Sequence, residues 1–158
     1  MPPAESRLAS DDATPDYQLI ARAIAATRRT LVPAQWHKGA AAVDAQGRET
    51  DPGDCESVAW CVQGILLRHV LAGSNATIRA AVQVLHRTAS RLSDGRFADL
   101  FAFNDDPHTS FADIDRLLAA ALAEARRLAR RPTTGVVSSV PAARVDPDQS
   151  AAGHRAVN

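Results

Sequence analysis

The polar run Asn104-Asp105-Asp106-Pro107-His108-Thr109 gathers an amide, two carboxylates, an imidazole and a hydroxyl just ahead of an apolar-periodic segment. Asp105, Asp106 and His108 carry donors suited to a metal ion, and free N–H groups at a helix start attract anions. The same residues also suit capping. Asp106 before Pro107 is driven to an extended backbone, Asn and Asp satisfy turn N–H groups, and Thr109 or Ser110 caps the helix that follows. Capping is the simpler reading. Acid–base chemistry would need a second titratable group near the same substrate, and His37, beside Trp36, is the residue to supply it. The candidate ligand-binding set is therefore Trp36, His37, Asn104, Asp105, Asp106 and His108, with no catalytic residue assigned, no metal and no cofactor.

Other reactive side chains form no constellation. The five histidines show no ligand spacing, and His69 and His86 fall on different helices. Cys61 has apolar neighbours and reads as a buried, inert thiol; Cys55, nearer a helix start, is the better nucleophile of the two. Arg126, Arg127, Arg130 and Arg131 fill two successive turns, with Arg28 and Arg29 as further candidates for phosphate contact. The plainer reading is a solvated helix end that favours positive charge. No aromatic residue interleaves the basic stretches to stack a base, so nucleic acid is not the expected partner.

The elements that must position these residues belong to a chain of 158 residues with 18 acidic and 18 basic side chains. Zero formal charge supplies no global field toward nucleic acid or a membrane surface. Lys38 is the sole lysine, which reads as arginine bias. The start MPPAESRLAS lacks the apolar core of a signal peptide, and runs such as Leu117 to Ala123 are too short to span a bilayer. Two buried free thiols fit a reducing compartment, and a cytoplasmic protein is expected.

The densest apolar stretch, Asp51 to Ala72, predicts a buried helix on which the other elements pack, with Asp51 as N-cap and Pro52 in the first turn. On that helix Cys55 and Cys61 would lie roughly 9 Å apart along the axis, too far for a disulfide. Gly64 in its interior implies a close approach by a backbone or a bulky ring. Thr14 as cap and Pro15 open a first helix that Pro33 stops near Leu31. Between the two, Trp36, Ala40 to Val43 and the Asp44-Ala45-Gln46-Gly47 turn predict a short hairpin or ordered loop, with the Trp36 indole laid on the central helix. Ser74 or Asn75 caps a third helix whose stripe runs from Ile78 to Leu92, with His86 outward. Phe97 to Phe103 predict one short helical turn, and Ile114 to Leu128 the stripe of the last helix.

Trp36-x-x-Gly39, Asp44-x-x-Gly47, Trp60-Cys61-x-x-Gly64 and Phe103-Asn104-Asp105 with Thr109 follow one another in order. The set resembles an uncharacterised family of small helical bacterial and phage domains of unknown function, over roughly Tyr17 to Leu128. This chain departs from that pattern at Gln63, where a small or apolar residue is expected, and in its long tail. The resemblance supports the boundaries and supplies no activity.

The expected fold is mainly α: a compact bundle of four helices, about 14–31, 52–72, 75–92 and 109–131, with a small hairpin or loop insertion between the first two. Residues 1–13 and 132–158, poor in periodic apolar positions, are expected to be disordered. Without a catalytic set, the expected function is a protein-interaction or regulatory domain. Ala119 to Ala121, Ala123 and Ala125 offer a small-residue face for self-association. The alternative is a small enzyme or a ligand- or metal-binding domain with its site between the Trp36-His37 loop and the Asn104 to His108 loop.

Overall fold

The first apolar stripe folds as α1 (Tyr17–Thr30) with Ile20, Ala23, Ile24 and Thr27 buried. A computed structural model describes residues 14–97 and 99–131; the expected disordered ends, 1–13 and 132–158, lie outside the described residues. The cap of α1 is Asp16 instead of Thr14: its carboxylate accepts the Leu19 N–H at 2.9 Å, while its own N–H donates to Thr77 Oγ1 at 3.0 Å. A carboxylate two residues further along reaches the orphan N–H groups and ties the helix start to a neighbouring helix. Pro33 then opens a single 3₁₀ turn, Pro33–Gln35.

The helix expected over 52–72 is much shorter. Residues 51–57 form successive turns, Ala59–Trp60 is a strand (β2), and the helix α2 covers only Val62–Val70. Side-chain competition explains the loss. Asp51 Oδ1 accepts the Gly53 N–H at 2.8 Å, Asp54 Oδ1 accepts the Glu56 N–H at 3.0 Å, and Ser57 Oγ donates to the Asp51 carbonyl at 2.8 Å. Each bond offers the backbone a local alternative to a helix. The cap is Cys61, whose Sγ accepts the Gly64 N–H at 3.3 Å. Cys55 is therefore exposed on a turn, and only Cys61 is the buried thiol expected of both.

Strand β1 (Ala42–Val43) pairs antiparallel with β2, Ala42 opposite Trp60 and Val43 opposite Ala59. On its other edge Val43 bridges to Glu49 across the Asp44–Gly47 turn, which Asp44 holds by accepting the Gln46 and Arg48 N–H groups at 2.9 Å each. The insertion thus lies between α1 and α2, as expected. Gly64 sits where this insertion meets α2: a Cβ there would overlap the carbonyl oxygen of Ala41 and lie 2.8 Å from its carbon.

The remaining helices are α3 (Asn75–Leu92), α4 (Leu100–Asp105) and α5 (Phe111–Ala129). Ser74 caps α3 through the Thr77 N–H, and a capping box between Ser110 and Asp113 opens α5. His86, expected outward on α3, is half-buried, its Nε2 shielded and unpartnered among the described residues. The expected turn around Phe97 to Phe103 shifts to α4, so Asn104 and Asp105 belong to a helix rather than a loop. The fold is mainly α, five helices among the described residues, around one apolar cluster contributed by all of them together with Ala42 and Trp60. The most extensive helix pair is α1 with α5, and the short α2 packs against α1, α3, α4 and β2.

Candidate functional site

Asn104, in the last turn of α4, is fully buried, and its carboxamide is the centre of a polar junction. Its Oδ1 accepts from Trp36 Nε1 at 2.8 Å and from the Val62 N–H at 3.3 Å. Its Nδ2 donates to the His37 carbonyl at 3.0 Å and to Asp105 Oδ1 at 2.8 Å. One amide thereby satisfies an indole, the first N–H of α2 and a loop carbonyl, groups that are costly to leave unpaired inside a protein. The Trp36 segment is held from a second side by β2, where the His37 N–H donates to the Trp60 carbonyl at 2.9 Å.

Lys38 extends the junction toward α5. Its ammonium donates to the carbonyl oxygens of Asp106 at 2.7 Å and Thr109 at 2.9 Å, and lies 4.9 Å from the centroid of the Trp36 ring. A cation at the C-terminal end of α4 meets the negative end of that helix and satisfies one of its orphan carbonyls. Trp36 also faces Phe111, ring centroids 6.0 Å apart. The Gly39 N–H donates to Asp105 Oδ1 at 2.9 Å, with Gly39 at φ +90°, a backbone conformation that glycine adopts without strain.

The structure brings the Trp36-His37 segment against Asn104 and Asp105. Asp106 and His108 stand at the rim, where Asp106 Oδ1 accepts the His108 N–H at 2.8 Å. His108 is exposed and His37 half-buried. No three His, Cys, Asp or Glu side chains converge to hold a metal among the described residues. Nearby, burial raises the Cys61 thiol pKa, although the Gly64 N–H opposes the shift. The Ser110 hydroxyl and N–H lower the Asp113 carboxyl. Lys38 is the member of the junction that sequence reasoning overlooked. A single lysine in an arginine-rich chain was the available signal, since a compact ammonium fits between two carbonyls where a planar guanidinium fits poorly.

The arginines of α5 part company. Arg127 pairs bidentately with Glu124 at 2.8 and 2.7 Å, Arg130 Nε donates to the Arg126 carbonyl at 3.2 Å, and Arg28 of α1 pairs bidentately with Asp115 at 2.7 and 3.0 Å. A groove between α1 and α5 takes Arg126 and Arg130, Arg127 lines a groove against α3, and Arg131 lines both that groove and a depression at the start of α1. Of the small-residue face, Ala121 and Ala125 lie in the core and Ala123 is exposed.

No curated protein and no solved structure matches the chain. A family model described as a family of unknown function, DUF6197, matches residues 15–124, in keeping with the resemblance drawn from the sequence. That match begins just ahead of α1 and runs well into α5, so it takes in every residue of the polar junction, and the chain belongs to this family of unknown function.

Proposed function

We propose that the chain is a non-catalytic protein-interaction or regulatory domain of the bacterial cytoplasm. One observation carries the reading: the Asn104 carboxamide is saturated by internal partners, so the most elaborate polar cluster works as a clasp between segments. A catalytic centre needs titratable groups free to meet a substrate. Three residues before Asn104, Phe101 is 40% exposed and offers a partner, or a second copy of the chain, an aromatic anchor beside the clasp. No helix among the described residues is long and apolar enough to cross a membrane, and free thiols suit a reducing compartment. Light scattering of the full chain, with capture from native lysate by wild type and by Phe101→Ser, tests the proposal. Self-association or capture that Phe101→Ser abolishes supports it; a monomer that captures nothing overturns it.

A second reading, a small enzyme or ligand-binding domain, is favoured by the contact of the His37 and Asn104 segments at 3.0 Å. It predicts thermal stabilisation by a metal ion or small molecule that His37→Ala and His108→Ala remove. No stabilisation across a screen of metals, nucleotides and phosphates counts against it. Nucleic acid is not proposed as a partner, because the chain has zero net charge and Arg28 and Arg127 are paired with carboxylates.

A further inference from the structure

At the other end of α5, about 25 Å from the clasp at the helix rise of 1.5 Å per residue, a cavity of about 430 Å³ opens between α3 and α5. Arg87 and Arg91 line it from α3, Arg127 and Arg131 line it from α5 and the residues just after it, and Tyr17 of α1 lines one end. Each arginine pair is spaced four residues apart, about one helical turn, so the two pairs line the groove from its two sides. Among the described residues Glu124 is the one acidic side chain lining it, and it is engaged by Arg127. Arg87, Arg91 and Arg131 form no ion pair among the described residues, which leaves three positive charges in excess within a chain of zero formal charge. The floor is different in character: Val84 is buried, and Ala80 and Leu128 are half-buried.

We infer that this groove binds a small organic phosphate, its phosphate held by Arg87, Arg91 and Arg131 and its organic body laid on Val84, Leu128 and Tyr17. A single carboxylate would answer only one of the surplus charges, whereas a phosphate monoester brings about −1.5 to −2 at neutral pH and three acceptor oxygens. Guanidinium groups match those oxygens bidentately. The volume falls in the range of small-molecule sites, roughly 300–1,000 Å³, and the lining is mostly polar, with Val84, Ala80 and Leu128 as its apolar part. A nucleic-acid backbone is the poorer fit, since the other basic residues of α5, Arg126 and Arg130, line a separate groove against α1 and the surface past Tyr17 carries the carboxylate of Asp16. Glu124 has its carboxyl pKa lowered by Arg127 first, with Arg91 and Arg131 adding to the effect, in keeping with the convergence of these cations. The inference stands independently of the clasp and of its proposed partner.

The test is calorimetric titration of the full chain at low salt with AMP, pyrophosphate and a single-stranded oligonucleotide, on wild type, Arg91→Gln, Arg131→Gln and Arg28→Gln. Saturable one-to-one binding of AMP and pyrophosphate is expected, weakened about 10- to 100-fold by Arg91→Gln and by Arg131→Gln and unchanged by Arg28→Gln. Tyr17→Leu should weaken AMP more than pyrophosphate. Arg91 and Arg131 are exposed, so their variants should unfold at the wild-type temperature. Failure of both small probes to bind, binding indifferent to Arg91 and Arg131, or binding of the oligonucleotide alone with steep salt dependence overturns the inference.

Discussion

Replacing Asn104 with alanine tests the clasp directly. The substitution removes the acceptor for Trp36 Nε1 and the Val62 N–H and the donor to the His37 carbonyl, in a residue with no exposed surface. A buried donor or acceptor left without a partner costs about 1–3 kcal/mol. Val62 is wholly buried and takes the full cost, while Trp36 and His37 are half-buried and recover part of theirs from water. The expected loss is about 3–5 kcal/mol, at the upper end of single substitutions and a large share of the roughly 5–15 kcal/mol that holds a domain together. Urea unfolding followed by circular dichroism and tryptophan fluorescence measures it, and the melting temperature should fall by about 10–20 °C. Trp36→Phe, which removes only the indole N–H and some volume, should couple to Asn104→Ala by about 1 kcal/mol or more in a double-mutant cycle. A loss below about 1 kcal/mol for Asn104→Ala, or no coupling, would refute the view that this carboxamide holds the segments together.

Gly64→Ala should destabilise by about 2–3 kcal/mol or prevent folding, because the new methyl meets the Ala41 backbone rather than a movable side chain; a variant as stable as wild type in urea would contradict that contact. Under native conditions a thiol reagent should modify Cys55 promptly and Cys61 only after urea is added, since burial raises the Cys61 pKa and hides its sulfur; two fast equivalents in the native chain would refute this. Acid should weaken the fold in two steps. The pKa of His69 is lowered by burial, then by Arg68 and Arg29, so its contribution is present above the ordinary histidine value of about 6.5 and is lost as pH falls through the lower folded value. Asp44, held down first by the Arg48 N–H, and Asp113, held down by Ser110, contribute above the ordinary aspartate value of about 3.9 and lose that contribution at lower pH. Urea midpoints at pH 7.5, 5.5 and 3.5 follow both steps, and an unchanged fall between 7.5 and 5.5 in His69→Asn would remove His69 from the account.

Helices α1, α3 and α5 are legible in the sequence because their stripes repeat at helical spacing and polar residues stand at their starts. The stretch from Asp51 to Trp60 is not. Its apolar residues suit a helix or a strand, and Asp51, Asp54 and Ser57 decide the matter through bonds that periodicity does not register. Asn104 misleads in the opposite direction, since an amide among aspartates reads as an exposed turn, yet here it is buried by partners far along the chain. That the Trp36 and Asn104 segments come together depends on how α1, α2 and α5 pack, and Lys38 has no local signature of its two carbonyl partners. The groove arginines show the same limit: Arg87 and Arg91 share a groove with Arg127 and Arg131 only because α3 lies against α5.

The clasp also bears on the order in which the chain folds. Apart from the bond between the neighbours Asn104 and Asp105, its bonds join residues 66 to 71 positions apart, or 42 for Val62. Such contacts gain nothing until the ordering entropy of the intervening chain has been met. The capped helices α3 and α5 draw first on local contacts, and the clasp is expected to close after the main barrier to folding. Asn104→Ala should accordingly speed unfolding while leaving the folding rate nearly unchanged, a division that stopped-flow measurements resolve. On that outcome the junction would govern how long the Trp36 segment stays seated once the helices are built, rather than how quickly they assemble.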